Sequence, residues 1–170
     1  MANNYLEFSE AIDSLTKEEV LWLQEQLADI TVGDWTGPRF LLDNKENDGY
    51  AEFEAELEGP GATNQPLIKA EDLTGNDGDY LLWLHTSESG NVGQVGLLVQ
   101  AYLKKFHPDR YWTLTYATFC SKPRIGEFGG GAIFVTAEGI DWFNAYDAVD
   151  AKIKEWLEAH PGGSEITSGC

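Results

Sequence analysis

The chain has 170 residues, enough for one domain with a real core and few for two. Its 29 acidic residues outnumber 11 basic ones, and the resulting net charge of −18 repels nucleic acid and anionic membranes while attracting basic protein surfaces. Six Trp, seven Tyr and eight Phe exclude a disordered acidic tail, and no apolar run reaches the length needed to cross a bilayer.

The N-terminus lacks the basic-then-apolar order of a secretion signal, so a cytoplasmic location is expected. Two cysteines, Cys120 in an apolar run and Cys170 at the last residue, make neither a disulfide framework nor a zinc-ligand spacing. No metal or cofactor is expected. The charge is unevenly placed: the first 80 residues hold nineteen acids against four bases.

In chain order, Phe8, Ile12 and Leu15 recur at helical spacing. Thr16-Lys17-Glu18-Glu19 then has the form of a capping box, in which Thr16 accepts from the backbone and Glu19 reaches back. Val20, Leu23, Leu27 and Ile30 form one stripe, which predicts an amphipathic helix of about 12–14 residues ending before Gly33. Trp22 lies off this stripe and is expected to widen its buried face.

After Gly33 the pattern turns to short extended pieces. Arg39–Leu42 and Tyr50–Leu57 read as a hairpin around the polar turn 43–49. Asn44, Glu46, Asp48 and Gly49 approximate the start of a calcium-binding loop, but position twelve falls on Ala55, where a bidentate Glu is required. Within the second strand, Ala51–Glu58 alternates with period two, which sends Phe53, Ala55 and Leu57 to a core and Glu52, Glu54, Glu56 and Glu58 to the opposite face. Residues 59–79 read as an acidic loop with Glu71, Asp72, Asp77 and Asp79.

Tyr80–Leu84 reads as an apolar strand ending in His85. A helix follows from Asn91 to Phe106 with the stripe Val92, Val95, Val99, Tyr102 and Phe106, and Lys104 and Lys105 complement its C-terminal dipole before Pro108 ends it. Ser87–Gly96 suggests a phosphate cradle, but it lacks the dinucleotide spacing and a Walker lysine; Gly93 and Gly96 are read instead as letting the helix approach a sheet. Tyr111–Cys120 is a strand paired with Ala132–Thr136 across a basic, glycine-rich loop. The spacing of Ile140, Phe143, Tyr146, Val149, Ile153 and Trp156 or Leu157 predicts a last helix from about Ala137 to Ala159, with residues 164–170 a frayed tail.

These elements predict a single α+β domain over residues 1–163, built on a mainly antiparallel sheet with helices packed on one face. The Tyr80–Leu84 to Tyr111–Cys120 connection allows a parallel crossover.

The functional expectation is non-enzymatic binding. The glutamate row offers one charge per roughly 6.8 Å, about half the linear density of a nucleic-acid strand, so mimicry of a polynucleotide needs Glu46, Asp48, Glu71, Asp72, Asp77 and Asp79 beside Glu52, Glu54, Glu56 and Glu58. The expected partner is a basic protein surface, such as a nuclease or nucleoprotein complex. In composition the chain is similar to phage and mobile-element inhibitors of host nucleases, including anti-restriction and anti-CRISPR proteins; the likeness transfers no residue. Two alternatives stand beside it. One is an enzyme using Cys120 with His85 or His107. The other is an adaptor subunit binding through Trp22, Trp35, Trp142 and Trp156.

Overall fold

A computed structural model describes residues 4–27, 53–62, 69–122 and 128–160, together with the backbone of 29–32 and 35–38. The elements run β1 (Asn4–Leu15), α1 (Lys17–Gln26), β2 (Asp29–Val32), β3 (Trp35–Pro38), β4 (Glu54–Glu58), β5 (Tyr80–Thr86), α2 (Val92–Phe106), β6 (Tyr111–Cys120), β7 (Gly129–Thr136), β8 (Ile140–Asn144) and α3 (Ala145–Ala159). Six strands form one antiparallel sheet in the order β4-β5-β1-β6-β7-β8, and β2 and β3 form a separate hairpin. The architecture is α+β, as the sequence predicts.

The first element departs from that prediction. Residues 4–15 form a twelve-residue strand, not a helical turn, and it lies inside the sheet between β5 and β6. Phe8 and Ile12 are four apart, a spacing that suits one face of a helix and equally one face of a strand. The odd step from Ile12 to Leu15 is a β-bulge: Ile12 pairs with Leu82 and Leu15 with Tyr80, and Ser14 takes a φ of +56°. The extra residue turns Leu15 onto the core face, where it is fully buried.

The α1 capping box forms as expected, with the Thr16 hydroxyl accepting from Glu19 N–H and Glu19 accepting from Thr16 N–H at 2.7 Å. The helix ends at Gln26, sooner than its apolar stripe suggests, because Ile30-Thr31-Val32 enters β2 instead. Trp22 is half-buried, edge-on to Phe106 with ring centroids 5.7 Å apart. Arg39–Leu42 and the turn 43–49 lie outside the described residues.

Val20 and Leu23 of α1 and Val95, Leu98, Val99 and Leu103 of α2 bury against Leu82 and Leu84 of β5, Leu114 of β6, and Ile133 and Val135 of β7. Asn91 caps α2 through its side chain. Gly96 is the close approach anticipated: a Cβ there would stand 3.1 Å from Ile140 and 3.3 Å from Ile133. Since β5 and β6 each run antiparallel to β1, they are parallel to each other, and α2 carries the chain across the strand between them. The β6–β7 hairpin matches the predicted pairing and extends to Gly129, with Gly131 leaving room for the Phe143 carbonyl and the Tyr116 hydroxyl.

The last helix begins later than predicted. Thr136 and Gly139 close a tight turn, Ile140–Asn144 pairs with β7, and Asn144 caps α3. Ile140 and Phe143 therefore belong to a strand.

One buried carboxylate ties α1 to α2. Glu19, 3% exposed, accepts from Tyr102 Oη at 2.9 Å and contacts His107 Nε2 at 2.5 Å while completing the capping box. Burial raises its proton affinity, but hydrogen bonds from Thr16, Tyr102 and His107 outweigh that and hold the carboxyl below its ordinary value. Burial and the hydrogen bond to Glu19 push the Tyr102 phenol well upward. Glu19→Ala is expected to cost about 2–4 kcal/mol in a urea titration, because it strips the acceptor from buried donors. A depressed carboxylate contributes its full stability above the unfolded value of about 4.3 and loses it as pH falls through the folded value. Glu19→Gln is expected to flatten that acid limb of the stability curve.

Candidate functional site

The two ends of the sheet carry opposite chemistries. At one end, β4 is the outermost strand among the described residues, and its alternation holds as read: Ala55 and Leu57 pack against the core, while Glu54, Glu56 and Glu58 share the outer face. Glu54 and Glu58 are exposed; Glu56 is half-buried because it meets His85 Nε2 at 3.3 Å. The register sets Glu54 opposite His85, Glu56 opposite Trp83 and Glu58 opposite Leu81. The His85 ring stacks on Trp83 with centroids 3.9 Å apart, and Trp83 Nε1 donates to Ser9 Oγ at 2.9 Å.

The acids of 69–79 lie beside the end of β4. Thr74 N–H donates to the Pro60 carbonyl, and the buried Tyr80 hydroxyl accepts from Gly75 N–H at 2.7 Å, which folds this segment onto the Gly59–Gly61 turn. Their carboxylates have local duties. Asp77 accepts from Lys17 N–H at 3.1 Å, Asp79 from Asn76 N–H at 2.7 Å and Asp72 from Lys69 N–H at 3.3 Å, and Glu71 pairs with Lys69 at 3.7 Å. All four remain exposed. Glu46, Asp48 and Glu52 lie outside the described residues.

Glu54, Glu56 and His85 bring one donor atom each within 4.8 Å, so these are the residues that could hold a divalent cation. The hydrogen bond between Glu56 and His85 accounts for the arrangement without one. Sequence spacing gave no sign of this group, because 29 residues separate Glu56 from His85.

At the other end, β8 leads into α3, and every residue of α3 is exposed. Val149, Ile153, Trp156 and Leu157 follow one another along one side of the helix, with exposures from 41% for Leu157 to 56% for Val149. Tyr146 sits at its foot, donating from its hydroxyl to the Phe128 carbonyl at 2.8 Å. Trp142 and Phe143, both more than half exposed, flank that foot from β8. The sequence places Tyr146, Val149, Ile153 and Trp156 or Leu157 on one apolar stripe of a last helix and offers Trp142 and Trp156 as contact residues, since spacing of three and four marks an apolar face without saying what covers it. Of the four tryptophans proposed as a contact set, Trp142 and Trp156 are exposed and Trp22 packs inward; the Trp35 side chain is outside the described residues.

The proposed nucleophile and base are not brought together. Cys120 is buried on the face of β6 that carries Leu114, while His85 lies on the opposite face of the sheet across from Ser9. His107 is engaged with Glu19. Where β1 and β6 part beyond Phe8, a cleft of about 290 Å³ opens, lined by Glu10, Asp13, Tyr102, His107 and Arg110 and bridged by Trp112 Nε1 donating to the Ala11 carbonyl. It falls at the small end of ligand pockets.

Comparison with protein-family models, curated proteins and solved structures found no match. The geometry therefore carries the functional reading. No helix among the described residues is long and apolar enough to cross a membrane.

Burial at 5% exposure makes Cys120 an inert thiol in the folded chain. Peptide-resolved alkylation is expected to leave Cys120 unmodified in native buffer over a time in which denaturant exposes and fully modifies it. Rapid labelling of the native protein would revive a reactive role.

Proposed function

We propose that the protein works by association with another protein, with the apolar side of α3 as its docking face and the acidic end of the sheet as a long-range steering field. One observation supports this above the others: a helix of fifteen residues buries none of its side chains while carrying a continuous apolar side whose members are each about half exposed. Large exposed patches of this kind mark association surfaces. At about 25 cal/mol per Å², covering four such side chains contributes on the order of 10 kcal/mol before the costs of association. The net charge argues for a protein surface over an anionic bilayer as what covers it.

The double variant Ile153→Asp, Trp156→Glu is expected to keep the wild-type circular dichroism and to change folding stability by less than about 1 kcal/mol, since both sites are already exposed. A stoichiometric protein partner retained by the wild type should be lost by the variant. Undiminished capture would refute the reading.

A second reading is the charge mimicry expected from composition, in which the acidic end occupies a basic nucleic-acid-binding surface and inhibits a nuclease or nucleoprotein, in the manner of anti-restriction or anti-CRISPR proteins. The feature that favours it is the gathering of Glu54, Glu56 and Glu58 on one face beside Glu71, Asp72, Asp77 and Asp79. Changing Glu54, Glu56 and Glu58 together to Gln is expected to abolish salt-sensitive binding to such a partner in calorimetric titrations at low and physiological salt. A triple variant that binds as tightly as the wild type at both salt concentrations sinks this second reading.

A further inference from the structure

We propose that Glu54, Glu56 and His85 form a zinc-binding site that bridges β4 and β5. One donor atom of each lies within 4.8 Å of the other two, on the outer face of the sheet. The register explains how residues far apart in the chain meet there. Glu54 stands directly opposite His85, while Glu56, two residues on, stands opposite Trp83 and reaches diagonally to the imidazole. The site is separate from the apolar side of α3, which lies at the opposite end of the sheet.

Three features distinguish this group from a solvated acidic row. The first is the convergence of like charges: alternate residues of a strand stand about 6.8 Å apart, and free carboxylates relieve their repulsion by leaning away from each other. Glu54 and Glu56 lean together instead, toward one imidazole. The second is spacing. Zinc bonds imidazole nitrogen and carboxylate oxygen at about 2.0–2.2 Å, so neighbouring ligand atoms around a tetrahedral ion stand about 3.3–3.6 Å apart. His85 Nε2 and Glu56 Oε1 are 3.3 Å apart. The third is that the imidazole is held in place before any ion arrives. Its ring stacks on Trp83, Trp83 is fixed by its hydrogen bond to Ser9, and the bond to Glu56 sets which edge of the ring faces the carboxylates. Partners of this kind orient metal-binding histidines. The donor set names the ion: calcium and magnesium take oxygen ligands, copper(I) takes sulfur, and one imidazole with two carboxylates suits zinc, leaving a fourth position for solvent. Two carboxylates also balance its double charge. Bound zinc ties the outermost described strand to the rest of the sheet through side chains.

The test is a calorimetric titration of the full chain with zinc chloride at neutral pH, in a Cys170→Ser background that removes the terminal thiol as a competing ligand. One equivalent is expected to bind with a Kd below about 100 μM, and magnesium at the same concentrations should not displace it. Glu54→Gln and, separately, His85→Gln should each weaken binding at least about tenfold. Glu58→Gln and Glu71→Gln, which remove acids outside the set, should leave it within about twofold, which separates a built site from the general attraction of an acidic surface. Cobalt(II) in place of zinc should show the visible absorption of a tetrahedral ion, and His85→Gln should abolish it. Glu54 is exposed, so Glu54→Gln keeps the test decisive even where His85→Gln fails to fold. Absence of saturable zinc binding below 100 μM overturns the proposal. Binding that Glu54→Gln leaves unchanged, that Glu58→Gln weakens equally, or that magnesium displaces also overturns it.

Discussion

β1 is hydrogen-bonded on both sides, to β5 from Phe8 to Leu15 and to β6 from Asn4 to Phe8, and the six-stranded sheet depends on that double pairing. Without it the strands fall into two groups, β4 with β5 and β6 with β7 and β8. The connection through α2 crosses over the strand that joins them, so the helical layer and the central strand support each other. Glu19 reinforces this from above: a single buried carboxylate caps α1 and accepts from the end of α2, which is affordable only because several donors converge on it.

Among the described residues the sheet ends at β4 and β8, and an open edge has to prevent further strands from adding to it. β4 does so with charge, presenting glutamates on its outer face, and β8 by running directly into α3. These solutions divide the surface. One end repels anything acidic, including another copy of the same edge, while the other bears the apolar side of a projecting helix. The carboxylates of β4 and the apolar side of α3 therefore sit at opposite ends of one sheet.

Much of the fold was legible in the residues. The capping box at Thr16 and Glu19, the Asn91 start and Pro108 stop of α2, and the β6–β7 hairpin are all local signals, and each formed where its chemistry indicated. The errors share a cause. Phe8 with Ile12 satisfies both helical and strand periods, and the bulge at Ser14 gives Ile12 to Leu15 a helix-like step within a strand. Ile140 and Phe143 likewise fit a helical stripe, whereas the tight turn from Thr136 to Gly139 and pairing with β7 make them part of β8.

By itself the sequence determined the fold class, the bounds of α2 and β6 and the two-faced character of Glu54–Glu58, because periodicity and capping act over a few residues along one segment. Only the tertiary structure decided that the first strand is inserted at the centre of the sheet, that Cys120 and His85 occupy opposite faces, and that the apolar side of α3 stays in water. Those outcomes depend on which distant segments pair. An apolar stripe of given spacing reads the same whether it meets a sheet, another chain or solvent, so its exposure emerges only from how the strands around it pair.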